Sequence, residues 1–169
     1  MKIENLKKII SQGESITVEF KESKKKINKD VYESVCGFLN RYGGQLFLGV
    51  KDNGDIVGVD GDSVEQIKKD FVTSINNPLT LSPTFYMAVE EVEVDGKVIL
   101  YIHVPESSQV HRCKGKIFDR NEDGDFDITN NTNLVSNLYM RKQTTHTENR
   151  IFPSDLFRSR ARVYRGGCI

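Results

Sequence analysis

The sequence predicts one α+β domain, and three observations predict it. Several stretches carry the three-to-four-residue apolar spacing of amphipathic helices, short β-rich runs lie between them, and Asn53-Gly54 and Asp95-Gly96 supply the dipeptides of tight hairpin turns. The 169 residues, 37% hydrophobic and 28% charged, have the size and make-up of an ordinary globular domain that buries about two-thirds of its unfolded surface. The longest apolar run, Val98 to Ile102, falls far short of the roughly 20 residues that cross a bilayer, and MKIENLKK has no signal-peptide apolar stretch. A soluble protein of the cytoplasm, with no membrane partner, is expected.

Residues 4 to 12 read as a short helix with Leu6, Ile9 and Ile10 on one stripe and Gly13 as its stop. A strand follows over 17 to 21. Its alternation puts Val18 and Phe20 on one face and Glu19 and Lys21 on the other. Residues 28 to 42 form the clearest helix, capped by Asn28, striped by Val31, Val35, Phe38 and Tyr42, and ended by Gly43-Gly44. Leu46-Phe47-Leu48 and Val50 read as a strand buried on both faces. Asn53-Gly54 then predicts a tight hairpin between Lys51-Asp52 and Asp55 to Val57, which puts Asp52 at a strand end.

Ser63 caps another helix, with Val64, Ile67, Phe71 and Ile75 as its stripe and Asn76-Asn77-Pro78 as its close. Phe85 to Val94 and Lys97 to Val104 are β-rich and pair across Asp95-Gly96. Weaker strands are expected around residues 116 to 118 and 138 to 140, separated by a polar loop, with a last short helix starting at Pro153-Ser154.

Several chemistries lack their residues. Neither Gly96-Lys97 nor Gly115-Lys116 has the spacing of a phosphate-cradling loop, and no G-x-S-x-G elbow occurs. His103, His111 and His146 have no metal-ligand spacing, and Cys36, Cys113 and Cys168 form no C-x-x-C pair. Cys36 reads as a small buried hydrophobe within its helix. Asp119 to Asp127 imitates a calcium loop, but Asn130 stands where the bidentate glutamate belongs, so a polar turn is expected.

The net charge is zero, which removes whole-molecule attraction to a polyanion and leaves local patches to be judged singly. Lys24, Lys25, Lys26 and Lys29 cluster early; His111, Arg112, Lys114, Lys116 and Arg120 cluster later; Arg158, Arg160, Arg162 and Arg165 occupy the tail. One further constellation joins Glu14, Glu19, Lys21 and Asp52. If the two strands that carry them are neighbours, the carboxylates can converge on Mg²⁺ or Mn²⁺, hard cations that prefer oxygen ligands.

Glu14 to Lys21 as an E-x-x-x-x-E-F-K strand, the helix ending Cys36-Gly37-Phe38-Leu39-Asn40, and Gly43 to Gly54 as G-G-Q-L-F-L-G-V-K-D-N-G, in that order, closely resemble the Schlafen AlbA-type domain. The resemblance covers roughly residues 10 to 142. It implies an α+β fold with a mixed β-sheet and hairpins flanked by helices, over 1–150, followed by a basic extension over 151–169. Bacterial members are described as DNA-binding domains or transcriptional regulators, and some eukaryotic ones are endoribonucleases acting through three acidic residues. Those three fall on Glu14, Glu19 and Asp52.

The resemblance therefore implies a nucleic-acid-binding module, the DNA-binding part of a transcriptional regulator, with Lys21, Arg120, Arg141 and Lys142 contacting phosphates. The alternatives are a metal-dependent nuclease holding Mg²⁺ or Mn²⁺ on Glu14, Glu19 and Asp52, and a protein-interaction module. No other cofactor is expected. A homodimer is expected to form one channel, with the Phe85 to Val104 hairpin as its seam unless a Leu138 to Met140 strand covers that edge.

Overall fold

A computed structural model describes residues 1–150, with side chains through Thr144. The short helix expected at Pro153-Ser154 and the extension over 151–169 lie outside the described residues. In chain order the elements are α1 (Ile3–Gln12), β1 (Val18–Lys21), α2 (Lys29–Asn40), β2 (Gly44–Leu48), α3 (Val64–Ile75), β3 (Leu81–Ser82), β4 (Glu90–Val94), β5 (Lys97–Val104), β6 (Arg112–Cys113), β7 (Phe118–Asn121), β8 (Gly124–Asp127) and α4 (Thr132–Arg150).

The main sheet has the order β1-β2-β5-β4. β1 pairs with β2 in parallel and the other pairs are antiparallel, so the fold is α+β with a mixed sheet. A parallel pair needs a crossover, and α2 supplies it. β2 is buried on both faces as its apolar run requires. Leu46 and Leu48 join the cluster formed with α2 and α3, whereas Phe47 joins Leu6 and Ile10 of α1 and Val18 and Phe20 of β1. β3 pairs with β6 and β7 with β8 in two small ribbons. Among the described residues no helix is long and apolar enough to cross a membrane.

Four local expectations are corrected. Residues 138 to 140 belong to α4 and are not a strand; Asn131 Oδ1 accepts the Leu134 N–H at 3.1 Å and so caps the helix, while Leu138 packs with Ile117 and Ile128. The polar loop imitating a calcium site is the β7–β8 hairpin, its residues paired strand to strand. Around Asn53-Gly54 there is one bridge, Val50 to Ile56, and only Gly54 takes positive φ, 91°, so the turn is a looser loop than the two-residue hairpin.

The fourth correction concerns the make-up of the exposed edge of the Phe85 to Val104 hairpin. The Asp95-Gly96 hairpin forms as read, but its outer strand β4 exposes Glu90, Glu91 and Glu93 while Val92 and Val94 face inward. The Ile- and Tyr-rich strand is β5, which is interior and paired on both sides. The free edge is therefore acidic, and α4 does not serve as a strand to cover it.

Candidate functional site

Strand alternation turns Glu19 and Lys21 away from the core that Val18 and Phe20 enter. Glu14, on the loop before β1, is tied back to the strand, its Oε1 accepting the Phe20 N–H at 3.0 Å. Lys21 Nζ lies 3.2 Å from Glu19 Oε1 and donates to Asp30 Oδ2 of α2 at 2.9 Å. These groups line a cleft of about 280 Å³ between β1, the first turns of α2 and the β7–β8 hairpin.

Arg120 closes the cleft from within. Its guanidinium donates to Glu19 Oε2 at 3.0 Å, Asp125 Oδ1 at 2.7 Å, and the Ser15 and Ile16 carbonyls at 2.9 and 3.1 Å, and it lies 4.1 Å from the Phe38 ring centroid. Asp125 in turn accepts from Ser34 Oγ of α2 at 2.5 Å. One arginine thus joins β1, α2 and β8.

The electrostatics follow from this packing. Partial burial of the Glu14 carboxyl raises its pKa, and the neighbouring charges of Glu19 and Asp52 add to the rise against the Phe20 N–H. Burial opposes the Lys21 charge, but Asp30 and Glu19 outweigh it and raise the Lys21 pKa. Asp52 is exposed on the loop after β2 and reaches the others through its field at Glu14.

The three carboxylates are neighbours but do not form a cage for Mg²⁺ or Mn²⁺. Both Glu19 oxygens face cations, one Glu14 oxygen holds a backbone N–H, and among the described residues no three acidic, histidine or cysteine side chains stand close enough together to hold a metal ion. A hard divalent cation needs carboxylate oxygens that are not already neutralised.

Of the four basic residues read as phosphate contacts, only Lys21 lines the cleft at the surface, and it is paired twice. Arg120 is 1% exposed, turned inward by the carboxylates and carbonyls it satisfies. Lys142 is 3% exposed and donates to the Leu39 and Ser107 carbonyls at 3.0 and 2.7 Å. Arg141 donates to the Asn40 carbonyl at 2.8 Å. Neither Arg141 nor Lys142 is on or beside a strand as read; both lie on α4, and Lys142 anchors that helix to the end of α2.

Among the cations that stand in solvent, Lys24, Lys25, Lys26 and Lys29 cluster on the loop between β1 and α2 and the first residue of that helix. None of them enters any of the ion pairs among the described residues. The Asp60 N–H, donating to the Lys24 carbonyl at 2.8 Å, ties their loop to the body.

The chain matches the family described as Schlafen, AlbA_2 over residues 14–129. It belongs to the Schlafen AlbA_2 family. Among solved structures, this Schlafen AlbA_2 chain is similar to the N-terminal domain of the "Putative ATP-dependent DNA Helicase RecG-related Protein" from Nitrosomonas europaea, at 28% identity over 60% of this chain and 71% of that one, TM-score 0.47. It is also similar to the DIP2311 protein from Corynebacterium diphtheriae, at 18% identity over 74% of this chain and 29% of that one, TM-score 0.53. No curated protein matches.

Sequence reasoning missed three residues around the end of α2 in this Schlafen AlbA_2 domain. Asn40 is fully buried, its amide donating to the His111 and Phe118 carbonyls at 3.0 and 2.8 Å and its Oδ1 accepting the His111 N–H at 2.8 Å. Arg41 grips Asp119 with two bonds of 2.9 and 2.6 Å. Tyr42, expected on the buried stripe, is 57% exposed instead. The sequence signal available was Gly43-Gly44, which ends the helix before Tyr42 can complete the stripe.

Proposed function

We propose that this Schlafen AlbA_2 chain is a nucleic-acid-binding module that holds the phosphate backbone on Lys24, Lys25, Lys26 and Lys29. The observation that carries the reading is that these four ammonium groups are exposed and free of ion pairs on an anchored loop, whereas Arg120 and Lys142 are occupied inside the fold. A zero net charge gives no attraction at long range, so one basic face opposite an acidic β4 edge must orient the encounter. The family resemblance supports the same reading, as the DNA-binding part of a transcriptional regulator.

Backbone contact has a salt signature: affinity for duplex falls by about 0.9 log units per log unit of salt for each phosphate neutralised. Labelled RNA and DNA, single-stranded and duplex, are titrated across a salt series with the native chain and with a variant carrying alanine at all four lysines. Binding at about 50 mM salt with a steep slope is expected, and the variant should lose about one unit of slope for each lysine that touches a phosphate. No binding at low salt, or an unchanged slope in the variant, refutes the reading.

The approach of Glu14, Glu19 and Asp52 favours a second reading, cleavage of the bound strand. Glu14, whose carboxyl pKa is raised by burial, is the candidate proton carrier under this reading. Under this reading RNA is cut, with or without added Mn²⁺, and Glu14→Gln abolishes the cut. Cleavage that survives both Glu14→Gln and Asp52→Ala belongs to other residues.

A further inference from the structure

The Arg120 guanidinium sits inside a cage of oxygens. Nε donates to the Ile16 carbonyl at 3.1 Å, Nη1 to Asp125 Oδ1 at 2.7 Å, and Nη2 to the Ser15 carbonyl at 2.9 Å and to Glu19 Oε2 at 3.0 Å. The Phe38 ring covers the guanidinium, its centroid 4.1 Å from Cζ. Gly37 leaves room for the stem, since a Cβ there would stand 2.7 Å from Arg120 Cγ. Two carboxylates and two carbonyls around one positive charge are the kind of donor set that a hard cation selects.

The cage holds its cation by shape as well as by charge. Four N–H···O bonds fix the fork, and the side chain is 1% exposed. A guanidinium keeps its proton wherever the protein folds, so it cannot make way as a neutral group. An ion that took Glu19 Oε2 would leave a charged donor buried and short of partners, with the desolvation cost that follows.

The remaining oxygens are no better placed to receive an ion. Glu19 Oε1 lies 3.2 Å from Lys21 Nζ, which Asp30 also holds at 2.9 Å. An ion brought to Oε1 would meet the Lys21 ammonium directly and the Arg120 charge across the same carboxylate. Glu14 commits Oε1 to the Phe20 N–H, and Asp52 stands exposed on the loop after β2.

We propose that Arg120 is the built-in cation of this cleft: its guanidinium supplies to Glu19 and Asp125 the positive charge that Mg²⁺ or Mn²⁺ would bring, and the native chain binds neither ion there. A side-chain cation is present at every metal concentration, so these carboxylates stay neutralised where an ion would dissociate. This role holds whether or not the chain binds nucleic acid. It narrows the cleavage reading to one in which Glu14, Glu19 and Asp52 act without a metal ion at Glu19.

The test titrates Mn²⁺ against the native chain, Glu19→Gln, Arg120→Met and Arg120→Lys, with free Mn²⁺ read from its electron paramagnetic resonance signal and stability from the urea midpoint. The native chain should take up no more Mn²⁺ than Glu19→Gln, and its midpoint should shift no more than that variant's. Arg120→Met, which leaves Glu19 and Asp125 without their shared counter-charge, should take up Mn²⁺ and gain stability from it, because an ion that binds only the folded chain raises the midpoint. Arg120→Lys, which returns a positive charge to the cage, should take up no more than the native chain. Saturable Mn²⁺ uptake by the native chain that Glu19→Gln removes overturns the built-in cation. So does an Arg120→Met chain that is folded by circular dichroism and takes up no more Mn²⁺ than the native one. If Arg120→Met does not fold, the comparison of the native chain with Glu19→Gln decides alone.

Discussion

Arg120 shows how one residue can carry the arrangement of a whole cleft. It satisfies Glu19, Asp125 and two carbonyls at once, and at 1% exposure its loss leaves both carboxylates short of their counter-charge in a confined space. Breaking a buried pair by removing one partner costs about 3–5 kcal/mol, so Arg120→Met should lower the urea midpoint by that equivalent without changing the slope. Arg120→Lys should recover little, because an ammonium cannot span the partners that a planar fork reaches. Gly37 belongs to the same arrangement: a Cβ there would come within 2.7 Å of Arg120 Cγ and Asp125 Oδ1. Gly37→Ala should therefore destabilise the protein and displace the same pair. Equal midpoints for the native chain and Arg120→Met in urea titration would show that the network stabilises nothing.

At the scale of the element, α4 is docked by a buried ammonium. Lys142 reaches the Leu39 and Ser107 carbonyls and stands 3.7 Å from Glu106, and burial pulls its pKa down from 10.5 to about 8. The lowered value fixes the sign. Between about pH 8 and 10.5 the unfolded chain still binds the proton that the folded chain has released, so this group makes stability rise with pH across that window. Below pH 8 the penalty for burying the charge is fully present. The urea midpoint, followed from pH 7 upward, should show this rise in the native chain and a flatter course in Lys142→Met. A native curve with the same shape as the variant's would contradict the assignment. His111 acts with the same sign on the acid side. Buried between the Pro83 carbonyl and Ser107 Oγ, it has a pKa lowered by that burial, so stability should fall as pH drops below 6.5 and the unfolded chain takes up the proton first.

For the molecule as a whole, charge is segregated rather than abundant. The lysine loop lies at one edge of the main sheet, beside β1, and Glu90, Glu91 and Glu93 lie at the other, on β4. Glu90 pairs with the Met1 ammonium and Glu91 with Lys68, which leaves Glu93 outside the ion pairs among the described residues, and charged edges are a device that prevents edge pairing. Light scattering at micromolar concentration is accordingly expected to give the mass of one copy, about 19 kDa, in the absence of nucleic acid. A dimer mass that falls apart on Glu91→Lys would be inconsistent with this, since removing an edge carboxylate should strengthen edge pairing.

The sequence alone determined the elements whose signal is local. The 3.6-residue stripes of α1, α2 and α3, the alternation of β1, the wholly apolar β2 and the Asp95-Gly96 hairpin are dictated by period and turn chemistry, and they are where they were read. The order of the motifs likewise gave the family. Tertiary structure decided what depends on partners distant in sequence. Arg120 reads as a surface cation in a polar loop, yet a hairpin from more than a hundred residues beyond Ser15 folds it under β1. Residues 138 to 140 look β-prone in isolation, but a cap at Asn131 and an anchor at Lys142 make them helix. Tyr42 fits a stripe by spacing and leaves it because the backbone beyond cannot admit a Cβ at Gly43. A charge or a ring can be counted from the chain, but whether it faces water depends on which carbonyls and carboxylates the fold brings to meet it, since burying an unpaired polar group costs more than leaving it exposed.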